Sequence, residues 1–539
     1  MFAGTWTLIK LILRRDRIKL PIWILSAAGF AVLMVPLLVK TTGSAASLAE
    51  LATSMQLNDV VKLLTGPLDQ ATLGGLFLVK TSLYTALILA FFNTLLVIRH
   101  TRQNEELGAQ ELILSGRASR YSPLLAVLTV ALVSNILITA LMGLGIATIA
   151  NEWPVGQSWL YALSMGGLGL AFAAIASIVA QLTETSSAAN GILAGVIGAT
   201  FLLRGAGDVL GTVVAGVPTP AFWSYLSPFG WMQLTHSTTF GYWWPLLIPL
   251  VFCLAAVPCA FWLLARRDLG AGLLPGRRGR ARASRLLRTP FGLTWHLQKN
   301  VFMGWLVGNL VLVVVIGSMS NQMDKVYSAS SQLKDFIISL GGSGAIEKAF
   351  LSAMLTYVAA LTLAYVIQSL GKLRSEEVSS HLENLLATKL SRIKWLALHV
   401  ATALTGGAAM LALSGAVLAI SVNVAGGGSA DIWAYTCGAL SYWPLLLVFT
   451  GVYVLLFGIL PMAASLVAWL GLCWVVFVGE LAALIGIPNW LRDLSPMVHI
   501  HPAPAEAIAA GPLIAMSLIG LALLAVGAIS WYRRNLAEQ

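Results

Sequence analysis

Charge is what this 539-residue chain has least of: Asp, Glu, Lys and Arg make up only 10% of it. Soluble globular proteins carry about 25%. Hydrophobic residues reach 58% and the mean hydropathy is +0.83, which excludes a soluble enzyme and a disordered chain. Cysteine is also scarce. Cys253, Cys259, Cys437 and Cys473 lie in apolar stretches with no CxxC or zinc-ligand spacing; this excludes a disulfide scaffold and leaves them as small core residues. Apolar runs are continuous rather than alternating, which argues against a β-barrel. A P-loop is missing too: the nearest stretch, Gly75 to Thr81, lacks the Gly before Lys80 and sits at the edge of an apolar run, so Lys80 reads as a snorkelling residue. There is no Ser-His-Asp arrangement and no metal-ligand cluster. His499 and His501 alternate in a loop without acids or cysteines beside them, and solvated histidines are the simpler reading. Catalytic residues, a metal and a cofactor are therefore not expected in this chain.

What is present is a series of apolar runs of bilayer length. Twelve are found, centred near residues 30, 87, 134, 169, 197, 253, 309, 360, 408, 446, 471 and 521. The first, Leu20 to Val39, is longer than a signal-peptide core and is expected to be a retained span. The expected fold class is an all-α polytopic membrane protein with about twelve transmembrane helices. The net charge of +11 reports orientation rather than nucleic-acid binding. The N-terminal segment, the segments after spans two and eight, the centre of the chain and the tail together hold 25 of the 33 basic residues. That face, with both termini, is expected to be cytoplasmic in a bacterial cell membrane. Trp6, Ile9 and Leu13 recur at helical spacing opposite Lys10, Arg14 and Arg17, as in a helix lying in the membrane interface.

The chain also repeats itself. After span two it reads EELGAQELILSGRASR (Glu105 to Arg120); after span eight it reads EEVSSHLENLLATKLSR (Glu376 to Arg392). With one residue inserted, Glu105, Glu106, Glu111, Arg117 and Arg120 match Glu376, Glu377, Glu383, Lys389 and Arg392, at offsets of 271 and then 272. Leu226, Ser227 and Pro228 pair with Leu494, Ser495 and Pro496, Arg266 and Arg267 with Arg533 and Arg534, and Trp23 with Trp305. The simplest account is two parallel six-span halves, residues 1–266 and 291–539. An exposed, mobile Gly/Arg-rich linker, 267–290, joins them and either fixes topology or touches anionic lipid. Glu106, Gln110, Leu107, Leu112 and Leu114 suggest a short amphipathic helix that either docks a soluble partner or caps itself. Two copies suit a partner with two-fold symmetry, such as an ATPase dimer.

On these residues, and on the RRDLGAGLLPGRRGR stretch from Arg266 to Arg280, the chain resembles the permease subunits of bacterial ABC type-2 exporters. The likeness is to the fused, twelve-span kind, which includes polyketide-antibiotic (tetronasin-type) and mycobacterial multidrug exporter permeases. The resemblance implies a separate, homodimeric ABC ATPase as the holder of ATP and Mg. It also implies coupling helices at Glu105, Glu106, Glu111, Arg117 and Arg120 and at Glu376, Glu377, Glu383, Lys389 and Arg392. An outer re-entrant hairpin is implied around Ser227, Pro228 and Trp231 and around Ser495 and Pro496. Hydrophobic or amphiphilic compounds, antibiotics among them, are the implied cargo, with membrane lipids as surroundings and no nucleic acid.

Charge inside the membrane costs about 2.5–3.5 kcal/mol per residue on insertion scales. Asp208 and Glu480 differ by 272 and look equivalent, late in spans five and eleven, and Arg204 is placed to pair with Asp208 four residues on. Either these residues serve an outer gate or they form a local ion pair. Trp469 and Trp474 lie deeper than the other tryptophans and either line an apolar path or pack. A proton-coupled secondary transporter with two six-span halves is the main alternative; a non-transporting scaffold and a membrane-embedded enzyme follow.

Overall fold

The computed structural model describes residues 3–42, 62–63, 65–116, 118–214, 216–274, 282, 284–318, 320, 346–379, 381–425, 430–485, 490 and 493–535. The chain divides into two compact units, Met1–Gly279 and Arg280–Gln539, and the division falls inside the expected linker.

In the first unit a short helix, α1 (Thr5–Arg15), precedes α2 (Lys19–Thr42). The outward stripe read from the sequence is there, since Trp6 and Leu13 are exposed. A second stripe, Leu8 and Ile12, is buried against the bundle, and Ser122 donates to Ala3 O at 2.7 Å to pin the helix start. Then come α3 (Leu73–His100), the short α4 (Arg102–Glu106) and α5 (Ala109–Leu114), α6 (Ser122–Ile149), α7 (Val155–Leu182) and α8 (Ser186–Val209). Thr72 and Thr185 cap α3 and α8 by accepting from Gly75 N and Ala188 N. A two-residue-turn hairpin pairs Thr212–Val214 with Val217–Thr219 antiparallel. The short α9 (Phe222–Tyr225) and α10 (Pro228–Gln233) lead to α11 (Leu247–Arg266).

The second unit follows the same plan: α12 (Pro290–Ser318), α13 (Ile346–Val378), the short α14 (His381–Leu386), α15 (Arg392–Ala425), α16 (Ile432–Leu440), α17 (Trp443–Ile459), α18 (Pro461–Ile485) and α19 (Ala510–Arg533). Such long apolar helices satisfy every backbone group internally, which hydrocarbon demands. The chain is thus an all-α, multi-pass membrane protein. Among the described residues eleven helices are long and apolar enough to cross a bilayer, with a shorter apolar stretch, Pro461–Val476, beside them.

The expected span not among these eleven, the one centred near 471, falls on α18. Packing supports a crossing there. Gly451 of α17 faces Gly520 of α19, and Gly458 faces Gly527, so the two helices run in parallel. The chain between them has to return across the same thickness, and a 25-residue helix is about 37 Å long. In the first unit α7 and α11 run in parallel as well, with Gly167 against Pro249 and Gln181 against Arg267, and α8 is the returning helix.

Part of the expected mobile linker is docked instead. Arg267 is buried, and Leu273 N and Leu274 N donate to Gln181 O and Leu182 O at 3.1 and 2.9 Å. Gly272 makes this approach possible, because a Cβ there would meet Thr183 C at 2.6 Å.

The α17–α19 contact gives a stability test. Apolar helices in lipid gain little from burial alone and associate through close van der Waals approach at small residues. A Cβ on Gly527 would lie 2.5 Å from Leu455 N, whereas nothing lies within 4 Å of one on Gly511. Gly527→Ala is expected to cost about 1–3 kcal/mol and Gly511→Ala to be neutral or slightly stabilising, read as thermal unfolding midpoints in detergent.

Candidate functional site

The repeated acidic segment begins where α3 ends. Arg102 is fully buried and donates to Ala180 O from Nε and Nη2 at 3.1 and 2.9 Å, and to Ala271 O at 3.0 Å. Its Nη1 reaches Glu105 Oε2 at 2.7 Å. The same carboxylate is gripped through both oxygens by Arg267, at 2.8 and 2.5 Å. Arg267 also donates to Gln181 Oε1 at 2.8 Å and Ala271 O at 2.9 Å. One buried glutamate thus ties α4, the end of α7 and the chain leaving α11. Glu106 faces outward and accepts from Ser186 N at 2.9 Å, holding the start of α8.

The second unit builds the same clamp. Glu377 accepts from Arg374, three residues earlier, at 3.2 Å and from Arg534 beyond α19. Arg534 lies over Phe457 and Trp531, and its backbone carbonyl accepts from Arg392 at 2.9 Å. Geometry therefore corrects the sequence pairing. Arg102, Glu105 and Arg267 correspond to Arg374, Glu377 and Arg534, so Glu105 is the counterpart of Glu377, not Glu376. Within the acidic segment the offset is 272 for both pairs and no residue is inserted, while Arg267 and Arg534 are 267 apart. Two adjacent glutamates in each copy concealed this, because sequence alone matches either.

Glu376 then stands opposite Asn104. It is buried, accepts from Trp395 Nε1 at 3.2 Å and lies 3.7 Å from His399 Nε2. His399 Nδ1 lies 3.1 Å from the Gln298 amide nitrogen, and Ser369 donates to Gln298 Oε1 at 2.6 Å. This chain of polar groups has no signal in the sequence, since its members are scattered over α12, α13 and α15.

The remaining segment faces outward. Glu111, Glu383 and Lys389 are exposed, Arg120 is half-buried, and Arg117 lies outside the described residues. Leu107 and Leu112 are 66% and 79% exposed beside them. Large exposed apolar side chains of this kind mark a contact with a protein or with the membrane.

At the opposite end, Arg204 and Asp208 pair on α8 at 3.2 Å with both side chains buried, and Arg204 Nη2 donates to Leu63 O at 2.6 Å. This is the local ion pair rather than an open acid. Asp69 and His236, missed in the sequence, lie 2.8 Å apart, and Thr239 donates to Asp69 at 2.8 Å. Ser227 caps α10 through Phe229 N, donates to Thr200 O at 2.6 Å and so ties the short helix opened by Pro228 to α8; Trp231 Nε1 donates to Tyr225 O at 2.6 Å. In the second unit Ser495 is buried and Pro496 opens a single short turn, Pro496–His499. Trp469 and Trp474 lie on α18, the first partly exposed and the second half-buried. Glu480 is also on α18, and its side chain lies outside the described residues. The segments 40–73 and 319–349 fall largely outside them as well. Within the first unit a cleft of about 430 Å³ opens between α6, α7 and α11, walled by Ile136, Trp159, Leu163, Leu250 and Cys253. That size suits a drug-like molecule.

Fold and site together define a polytopic membrane permease with a clamped acidic segment repeated in each half. The family model described as multidrug efflux system permease Rv1217c, C-terminal domain, matches residues 7–264 and 287–533. The multidrug efflux system permease protein Rv1217c of Mycobacterium tuberculosis is 31% identical over 99% of this chain and 95% of that protein. The chain belongs to this permease family.

The clamp makes a definite prediction. Removing one partner of a buried ion pair costs about 3–5 kcal/mol, because the other charge is stranded. Arg267→Ala is expected to cost toward the lower end of that range, since Glu105 keeps Arg102, read as a lowered thermal unfolding midpoint. Arg266→Ala, which loses only an exposed stack on Trp262, is expected to cost about 0.5–1 kcal/mol.

Proposed function

We propose that the chain is the membrane-spanning permease subunit of an ATP-driven exporter, paired with a homodimeric ABC ATPase that holds ATP and Mg. The observation that carries this reading is the exposed pair Leu107 and Leu112 beside Glu111, on helices that the clamp joins rigidly to the spans. With no P-loop in the sequence, the force-generating subunit is a separate protein seated on α4–α5 and on α14, with Glu383 and Lys389 at the second seat. A push on α4 reaches α3, α7 and the chain leaving α11 through Glu105, so a partner's movement is transmitted into the bundle without passing through mobile loops. The basic segments at this end favour a cytoplasmic location in a bacterial cell for it and for both termini. Hydrophobic or amphiphilic compounds, including antibiotics, are the cargo, in keeping with the multidrug name of the mycobacterial relative and with the apolar cleft of the first unit.

Co-expression with the ATPase encoded beside it tests this. The two proteins are expected to co-purify with substrate-stimulated ATP turnover. Leu112→Asp is expected to weaken association by roughly thirtyfold, about 2 kcal/mol, and Glu111→Lys with Glu383→Lys to collapse turnover while the permease stays folded. Folded permease that binds no ATPase, or that transports on a proton gradient alone, overturns the proposal in favour of secondary transport.

A further inference from the structure

A second cleft, of about 460 Å³, opens in the first unit where α2, α3 and the start of α8 meet. Its two ends differ in chemistry. One end carries Lys19, Arg99, Gln103 and Asn190; the other is a wall of Trp23, Phe92 and Leu95, with the Trp23 and Phe92 rings 5.8 Å apart. Arg99 meets Asp16 Oδ1 through Nη1 at 3.0 Å, and the other Asp16 oxygen lies 2.6 Å from His100. Lys19 is exposed, and Arg14 and Arg17 add positive charge on the same elbow. The first amide of α8 is already taken by Glu106, so the cations rather than the helix end supply the attraction.

The two cations that line the cleft are not themselves repeated, although Arg17 and His100 correspond to Lys299 and Lys372 in the other half. Counted from Trp23 and Trp305, Lys19 corresponds to Val301; at the 272 offset, Arg99 corresponds to Gly371 and Asn190 to Met462. A short apolar slot, about 10 Å long from Phe92 to Arg99 and ending in cations, fits an anionic head and the part of an acyl chain next to it.

We propose that this cleft holds one phospholipid with an anionic head group, its phosphate at Lys19 and Arg99 and an acyl chain along Trp23, Phe92 and Leu95. The lipid fills the gap beside α8 and is distinct from the compound exported.

The test uses the full chain in nanodiscs of phosphatidylcholine mixed with phosphatidylglycerol, released into the gas phase for native mass spectrometry of retained lipid. Wild type is expected to keep one phosphatidylglycerol in preference to phosphatidylcholine. Lys19→Gln is expected to lower that retention roughly fivefold, the effect of one basic residue near a membrane surface, and Leu95→Trp to lower retention by filling the slot. Arginine-to-glutamine changes across Arg277, Arg278, Arg280 and Arg282 are expected to leave it intact. Unchanged size-exclusion profiles and thermal midpoints in lipid-free detergent confirm that the variants fold. Equal retention of both lipids, full retention in Lys19→Gln, or loss only in the linker variant overturns the proposal.

Discussion

A carboxylate stripped of water has to be met by donors at hydrogen-bond distance, and in each unit that requirement decides how the bundle closes. Glu105 and Glu377 sit just beyond a span, each within reach of an arginine one turn earlier on the same chain segment. That local pair leaves carboxylate capacity unused. The arginine beyond the unit's last described helix, Arg267 or Arg534, supplies the rest. The last segment of each unit is thereby fastened to the segment that follows its second span. Burying such pairs adds little net stability when compared with apolar side chains, but their geometry admits one arrangement only. The clamp is therefore better understood as setting register between distant segments than as adding binding energy.

Within the spans the governing constraint is different. Lipid tails are as apolar as leucine, so helices gain by approaching closely rather than by hiding surface. Gly451, Gly458, Gly520 and Gly527, spaced by seven on each of two helices, bring α17 and α19 backbone to backbone. The resulting parallel pair, and its counterpart α7 with α11, oblige a returning helix between them. Packing therefore supports a crossing at α18 beside the eleven described helices that are long and apolar enough to span.

Class, span positions and the repeat were legible in the sequence because they rest on composition and on charges carried by contiguous residues. Arg204 and Asp208 were legible as a pair because four-residue spacing fixes their meeting on a helix. What was not legible depends on residues brought together from different helices. Gln298, Ser369, Glu376 and His399 belong to three helices. Asp69 meets His236 across most of the first unit. The alignment of the acidic pairs failed for a related reason: identical neighbours, Glu105 with Glu106 and Glu376 with Glu377, differ only in which way they face. Arg267 read as linker because its partner is 162 residues away.

The two copies agree where membrane physics acts and diverge where polar groups do. Clamp, parallel span pair and Ser-Pro turn recur in both. The polar groups around them do not: Glu376 with His399 in one half stands opposite Asn104 with Val127 in the other, and Lys19 and Arg99 stand opposite Val301 and Gly371. Ser227 ties its short helix to α8 through Thr200, while Ser495 opens a single turn. A duplicated bundle needs its scaffold contacts twice, since each half has to close on itself. It needs a polar contact of any other kind only where a partner, lipid or cargo meets that half. Unequal polar groups on a shared scaffold are what two halves with shared architecture and unequal tasks would accumulate.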